Sequence, residues 1–185
     1  DDGWGDTPGL FGSVLTADAG PQGDCHSLQN QAECLNHFEQ ARQLAEHTGE
    51  VAIALWFHEA VCEVQGKSNA RRSADWAVRV LQTSGASEST QQRVEQLIMA
   101  TQHDSTPWPG DAQLLVDIDL AILGATPARF AEYDQQVRTE YSWVPSLVYR
   151  MKRKDLLQSF LARPYIYSTS YFLERYEQQA RMNLA

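Results

Sequence analysis

Residues 54–62 (ALWFHEAVC) set a histidine and a glutamate side by side within an apolar run. In a helix, His58 and Glu59 are about 100° apart, so both side chains can turn into one pocket. Burying a carboxylate is costly unless a cation or hydrogen-bond donors compensate its charge. The run therefore predicts a buried site in which Glu59 faces a metal ion, a donor or water.

Other polar residues in apolar surroundings could share this site. They are His26, His103, Asp117 and Asp119. Two imidazoles with two or three carboxylates suit a divalent ion such as Mn²⁺, Fe²⁺, Mg²⁺ or Zn²⁺. Such an ion activates water and polarises a phosphoryl oxygen. From spacing alone, a hydrogen-bonded core residue that binds no ligand is the favoured interpretation of a histidine on an apolar helix.

Helices must position these side chains, because apolar residues recur at helical spacing along most of the chain. Glycine and proline signals separate the segments, and no β-hairpin signal occurs. The predicted class is all-α, with about seven to eight helices. The expected helices cover about 27–48, 50–64, 68–84, 87–103, 111–123, 127–142, 145–162 and 170–183. Residues 1–24 are glycine-rich and predict an irregular N-terminal arm, with a floppy terminus as the alternative.

Composition limits the classes of function. A chain of 185 residues forms one domain, here residues 25–185 after the arm. The formal net charge of −9 argues against nucleic acid as a partner. No apolar run approaches the roughly 18 residues of a membrane span, so we expect a soluble protein. The sequence begins without Met, which suggests a processed precursor or a trimmed sequence. A processed organellar protein, for example a mitochondrial one, fits the first case, and a cytoplasmic protein is the alternative.

Several segments together resemble one protein family. The matching segments are 26–28, 54–61, Asn69 with 72–74, 100–101 with His103, 114–124, 140–145, 159–164 with 166–167, and 179–181 with 183–184. Across residues 25–184 the chain resembles the HD superfamily of metal-dependent phosphohydrolases. It is most similar to a compact bacterial-type subfamily of predicted HD phosphohydrolases. The resemblance implies an HD-domain-like helical bundle.

In that family one metal is bound by a histidine on the first helix, a His–Asp pair on the second and an aspartate on a later helix. The resemblance implies that His26 is the proton donor, by analogy with cyclic-nucleotide phosphodiesterases. His58 matches the histidine of the pair. Asn30 stands where the first metal-binding histidine is expected, and Glu59 stands in place of the paired aspartate.

The remaining position of the family's metal site matches Asp119, with the neighbouring Asp117 as the alternative. An acidic patch expected before the third helix is replaced by the uncharged or basic residues 67–70 (KSNA). Asparagine is a poor transition-metal ligand, and a glutamate moves its oxygens by roughly 1 Å, which can cost about 100-fold in rate. The resemblance therefore implies a degenerate metal site on His58, Glu59 and Asp119.

Cys25, Cys62 and His103 complete the pocket that the resemblance implies. Both cysteines stand where the family tends to have tyrosine, and the count of three cysteines leaves at least one thiol free within the chain. We expect two free thiols that fill space at the pocket rim. The alternative is a Cys25–Cys62 disulfide, which would indicate an oxidising compartment.

Two functions of different classes follow. We favour a non-catalytic HD-like pseudoenzyme, an accessory subunit or binding module with protein partners in a larger complex and no metal cofactor. The alternative is an active phosphohydrolase with a divalent metal on His58, Glu59 and Asp119, acting on a nucleotide or other small phosphate ester. A small-ligand binder with a metal-free pocket is a third, weaker reading.

Overall fold

The computed structural model describes residues 28–63, 68–103 and 105–185, and all regular structure in these ranges is helical. The helices are α1 Leu28–Ala41, α2 Thr48–Phe57, α3 Asn69–Thr83, α4 Glu88–Ala100, α5 Asp111–Asp119, α6 Pro127–Glu140, α7 Ser146–Leu161 and α8 Ser170–Leu184. Two 3₁₀ segments, Arg42–Leu44 and Leu120–Gly124, follow α1 and α5. The predicted all-α class with seven to eight helices is confirmed. The expected arm over residues 1–24 lies outside the described residues.

Local sequence signals account for the starts of α4 and α6. Ser87 Oγ accepts a hydrogen bond from the Thr90 amide at 3.2 Å at the start of α4. Thr126 Oγ1 accepts from the Arg129 amide at 3.4 Å, and a proline occupies the first turn of α6. Both contacts satisfy helix amides that have no partner within the helix. None of the described helices has the length and apolar character that crossing a membrane requires.

The second helix ends earlier than its sequence predicts. The expectation of a helix to about residue 64 is wrong, because α2 ends at Phe57 and His58 is its C-cap. Three residues further, the Val61 amide donates to Ser73 Oγ of α3 at 2.9 Å. A tertiary hydrogen bond has thus replaced the next helical turn. His58 and Glu59 consequently lie at the junction of α2 with a turn, and Cys62 is not on a continuing helical face.

The core is formed by the apolar faces of α1 to α5, with α8 packed on the 3₁₀ segment after α5. Val51 and Leu55 of α2 and Leu115 of α5 are fully buried there. Gly124 lets α8 approach closely, because a Cβ at this position would lie 2.7 Å from the Cβ of Tyr176. This packing fixes the C-terminal end of α5, and with it the position of Asp119.

Candidate metal centre and its pocket

His58 is oriented by the last turn of α2. Its Nδ1 lies 2.7 Å from the carbonyl oxygen of Leu55, and the side chain is almost completely buried. A carbonyl oxygen can only accept, so Nδ1 carries the hydrogen of this bond. The lone pair of a neutral His58 is therefore on Nε2, which is the arrangement of a metal-ligating histidine.

Nε2 of His58 points toward two carboxylates. It lies 3.5 Å from Asp119 Oδ1 and 3.8 Å from Glu59 Oε1, both too long for a good hydrogen bond. Each of the three residues offers one possible metal-ligand atom, and these three atoms all lie within 4.8 Å of one another. In the neutral state of His58, its Nε2 lone pair faces two carboxylates, and this arrangement favours a cation between them.

A proton is the simplest such cation, and the electrostatics of His58 show its effect. Burial alone would lower the pKa of His58, but Glu59 and then Asp119 outweigh burial and raise the pKa to about 9. Burial would likewise raise the pKa of Asp119, but the hydrogen bond with His103 and the nearby His58 imidazole hold this pKa well below its usual range. The cluster therefore favours positive charge at the position of the His58 proton.

His103 supports Asp119 from the loop after α4. Its Nε2 lies 2.8 Å from Asp119 Oδ2, and its ring contacts Phe160 edge-on at 6.0 Å. The backbone of His103 has a φ of 56°, which is uncommon for a residue with a side chain. Arg163 Nη2 donates to the His103 carbonyl at 3.4 Å and helps to hold this conformation.

The two aspartates of α5 have different surroundings. Asp117 is fully buried and accepts hydrogen bonds from the amides of Ser168 and Thr169 at 2.9 and 2.7 Å. The Thr169 hydroxyl adds a third bond at 2.6 Å. Asp117 thus anchors the segment that begins α8 and is not part of the cluster, so Asp119 is the carboxylate that reaches His58.

The cluster opens on a cavity of about 910 Å³, which is within the range of small-molecule sites. Asn30, Cys62 and His103 line its wall together with the three cluster residues. Four buried polar atoms of the described residues lack a hydrogen-bond partner, and all four belong to residues that line this cavity. They are His58 Nε2, His103 Nδ1, the Tyr149 hydroxyl and Arg153 Nη2.

The sequence does not single out Tyr149. Arg153 belongs to a basic cluster on α7 with Arg150, Lys152 and Lys154, for which the sequence favours a solvated face and leaves an anion or partner contact as the alternative. The other three members are indeed exposed. The Arg153 side chain, however, is only 12% exposed. The signal that could have found it is spacing, because Tyr149, Arg153, Leu157 and Phe160 form one stripe at helical intervals and line the cavity.

Two of the other four expected pocket residues, Asn30 and Cys62, lie in the described part of the chain. Asn30 of α1 is buried in the cavity wall, at the place where the resemblance implies a missing histidine ligand. Cys62 is disulfide-bonded, so the expectation of a free thiol there is wrong. His26 and Cys25 lie outside the described residues.

The donor set fits a divalent ion. One imidazole and two carboxylates are ligands that Mn²⁺, Fe²⁺ and Zn²⁺ accept. Two ligands each about 2.1 Å from one ion are at most about 4.2 Å apart. The distances from His58 Nε2 to Asp119 Oδ1, 3.5 Å, and to Glu59 Oε1, 3.8 Å, are within this limit. The buried and unpartnered Nε2 of His58 is the atom whose hydrogen-bonding deficit such an ion would remove.

Comparison with known proteins adds no assignment. No protein-family model matches the chain, and no curated protein does. No solved structure matches it either. The resemblance to HD phosphohydrolases therefore rests on the sequence segments described above.

Proposed function

We propose that this chain is a metal-dependent phosphohydrolase that acts on small phosphate esters. The supporting observation is the convergence of His58 Nε2 with the carboxylates of Glu59 and Asp119 within 4.8 Å, at the wall of a cavity of substrate size. This geometry favours the active form of the two functions expected from the sequence. The HD resemblance supplies the reaction class.

Each residue has a defined part in the proposal. His58, Glu59 and Asp119 would hold the ion, the Leu55 carbonyl fixes the tautomer of His58, and His103 orients Asp119. A divalent ion there would supply Lewis-acid chemistry, which lowers the pKa of a bound water and polarises a phosphoryl oxygen. In the hydrolysis, the water oxygen bonds to phosphorus and gives up a proton, the ester P–O bond breaks and the leaving oxygen takes a proton. The resemblance assigns that proton to His26.

Metal content and activity test this function. The purified chain should carry one divalent ion or take it up from Mn²⁺, and should release inorganic phosphate from p-nitrophenyl phosphate or a nucleoside monophosphate. His58→Ala should lower metal affinity and turnover by roughly 100-fold or more, since losing even a residue that only supports a metal ligand costs about 10–100-fold.

The matched control is His47→Ala, because His47 is exposed and pairs with Asp111 outside the cavity. Its activity should stay within about twofold of the wild type, as surface substitutions usually have small effects. A chain that binds no metal and is inert with added Mn²⁺ on both substrates would contradict the proposal.

A second candidate is the non-catalytic accessory subunit. Asn30 at the expected ligand position favours it, and so does an apolar surface at the start of α7. Trp143, Leu147 and Met151 are 55%, 65% and 60% exposed. Exposed large apolar side chains near one another are typical of protein interfaces.

Co-purification separates the two candidates. As an accessory subunit, the tagged chain should be recovered from its own cells in a stoichiometric complex, and Leu147→Glu with Met151→Glu should release it. Recovery as a solitary, metal-loaded monomer would exclude the accessory role and support the enzyme.

A further inference from the structure

The cavity that contains the metal cluster carries more positive than negative formal charge. Lys152, Arg153 and Arg163 line it, against the two carboxylates of Glu59 and Asp119. The whole chain, in contrast, has a formal net charge of −9. Cations gathered in one concave site of an acidic protein favour an anionic ligand there.

Neighbouring side chains orient the Arg153 guanidinium, and one of its nitrogens has no hydrogen-bond partner. Its Nε donates to Asp134 Oδ1 at 2.8 Å, and its guanidinium carbon lies 5.4 Å from the centroid of the Tyr133 ring. These contacts leave Nη2 buried and without a hydrogen-bond partner. A buried donor without a partner is destabilising, and more so when it is charged, so this position favours an acceptor.

Tyr149 presents a second donor of the same kind. It precedes Arg153 by four residues on α7, so both side chains are on one face of the helix. The Tyr149 hydroxyl is buried and has no partner. The guanidinium carbon of Arg138 lies 4.7 Å from the centroid of the Tyr149 ring. Arg138 Nη1 in turn donates a hydrogen bond to the Tyr141 carbonyl at 2.7 Å. Burial raises the pKa of Tyr149, so the hydroxyl remains a donor at neutral pH.

We propose that Arg153 and Tyr149 form an oxyanion-binding subsite that holds the phosphate of the substrate. A guanidinium and a phenol hydroxyl match the acceptor oxygens of a phosphate group. Asp134 and Tyr133 are positioning residues, because they orient the guanidinium before a ligand arrives. The identity of the phosphate as part of a hydrolysed ester rests on the proposed function, whereas anion binding itself does not require the metal.

The rest of the cavity defines the organic part of the ligand. Trp143, Leu156 and Leu157 line it with aromatic and aliphatic surface. The volume of about 910 Å³ exceeds what one phosphate needs and fits a ligand of drug or nucleotide size. The substrate class is therefore a phosphate monoester with an aromatic or apolar organic group.

The test measures binding of inorganic phosphate to the metal-free chain by isothermal titration calorimetry. Arg153→Gln should weaken phosphate binding roughly tenfold or more, because it removes a charge-assisted bond. Tyr149→Phe keeps the ring and its contact with Arg138, and should weaken binding about threefold to tenfold. Arg150→Gln removes the same charge from an exposed position that does not line the cavity, and should leave binding within about twofold.

Equal phosphate binding by the wild type, Arg153→Gln and Tyr149→Phe would overturn the subsite, as would a wild type that binds no phosphate at about 50 mM. Should Arg153→Gln fail to fold, Tyr149→Phe decides alone. His58→Ala separates this inference from the proposed function, because it should abolish metal binding and keep phosphate binding. Phosphate binding without any metal uptake would sustain the subsite and reject the hydrolase. Hydrolysis with an unchanged kcat/KM in both Arg153→Gln and Tyr149→Phe would reject the subsite and sustain the hydrolase.

Discussion

The chemistry of this protein depends on how one imidazole is oriented. The Leu55 carbonyl takes the Nδ1 hydrogen of His58, so its Nε2 lone pair faces two carboxylates. Either a proton or a metal ion relieves the resulting repulsion. Protonation and metal binding are thus competing solutions to one electrostatic problem, and metal affinity should rise with pH.

The pKa of His58 predicts a pH dependence of stability in the metal-free chain. The folded value of about 9 lies above the unfolded value of about 6.5, so the proton is bound more tightly in the folded state. This stabilisation is complete below pH 6.5 or so and is lost as the pH rises through about 9. The free energy of unfolding should fall over this window by at most about 1.4 kcal/mol per pH unit, relative to His58→Gln.

Urea denaturation in EDTA at a series of pH values checks this. The difference between the two chains isolates the contribution of His58 from that of the groups that both chains share. Parallel pH curves for the wild type and His58→Gln would show that the carboxylates do not hold the proton.

Asn30 offers a gain-of-function prediction. It is buried in the cavity wall at the position where the resemblance expects a histidine ligand. Asn30→His should raise the affinity for Mn²⁺ or Zn²⁺ by roughly tenfold or more, because imidazole is a better ligand than a carboxamide. Asn36→His, on an exposed position of the same helix, is the control for non-specific binding. Equal affinity in the two variants would place Asn30 outside the reach of the ion.

At the scale of elements, α5 serves both the fold and the site. Asp117 and Asp119 are two residues apart, which is about 200° around a helix, so they face opposite directions. Asp117 accepts hydrogen bonds from the backbone amides just before α8. Asp119 is hydrogen-bonded to His103 and faces His58. The dense packing of α8 on the 3₁₀ segment after α5 holds both carboxylates in register.

Paired substitutions on α5 should separate these roles. Asp117→Asn should lower the free energy of unfolding by about 2–3 kcal/mol, because one of three buried donors loses its acceptor. Its affinity for Mn²⁺ should stay within about threefold. Asp119→Asn should instead lower metal affinity by roughly 100-fold. Calorimetric unfolding and metal titration of the two proteins give both quantities. Loss of metal binding in Asp117→Asn, with the fold intact, would refute the division.

At the scale of the molecule, the site joins parts of the chain that are distant in sequence. The ends of α2 and α5 carry the cluster, the loop after α4 supports it through His103, and residues of α6 and α7 line the same cavity. A ligand that bridges these parts binds only the folded chain. Metal binding should therefore stabilise the entire fold rather than one segment.

Thermal unfolding measures this linkage. A metal present at 100 times its Kd should add about 2.7 kcal/mol of stability. For a chain of this size, the Tm should rise by about 5–10 °C. Asp119→Asn, whose metal affinity should be roughly 100-fold lower, should shift its Tm by only about 1 °C at the same metal concentration. A wild-type Tm that does not respond to Mn²⁺, Fe²⁺, Mg²⁺ or Zn²⁺ would count against the metal centre.

Helical periodicity and the stop signals were enough to predict the number of the helices and, except for the ends of α1 and α2, their approximate bounds. Ser87 and Thr126 begin their helices as local chemistry predicts, because a cap needs only residues three or four positions away. The apolar setting of His58 and Glu59 likewise predicted that both residues lie at one pocket, since buried polar residues need a partner wherever they lie.

The tertiary structure decided what depends on distant partners. The helix α2 ends at Phe57 although no breaker follows, because Ser73 of α3 binds the Val61 amide. The choice between Asp117 and Asp119 was made by Ser168 and Thr169, some 50 positions along the chain. Arg153 turns inward from a basic run because its guanidinium is hydrogen-bonded to Asp134 and packs over the Tyr133 ring. Periodicity reports the face that a residue occupies on its own helix, whereas the group that it meets there is set by packing between helices.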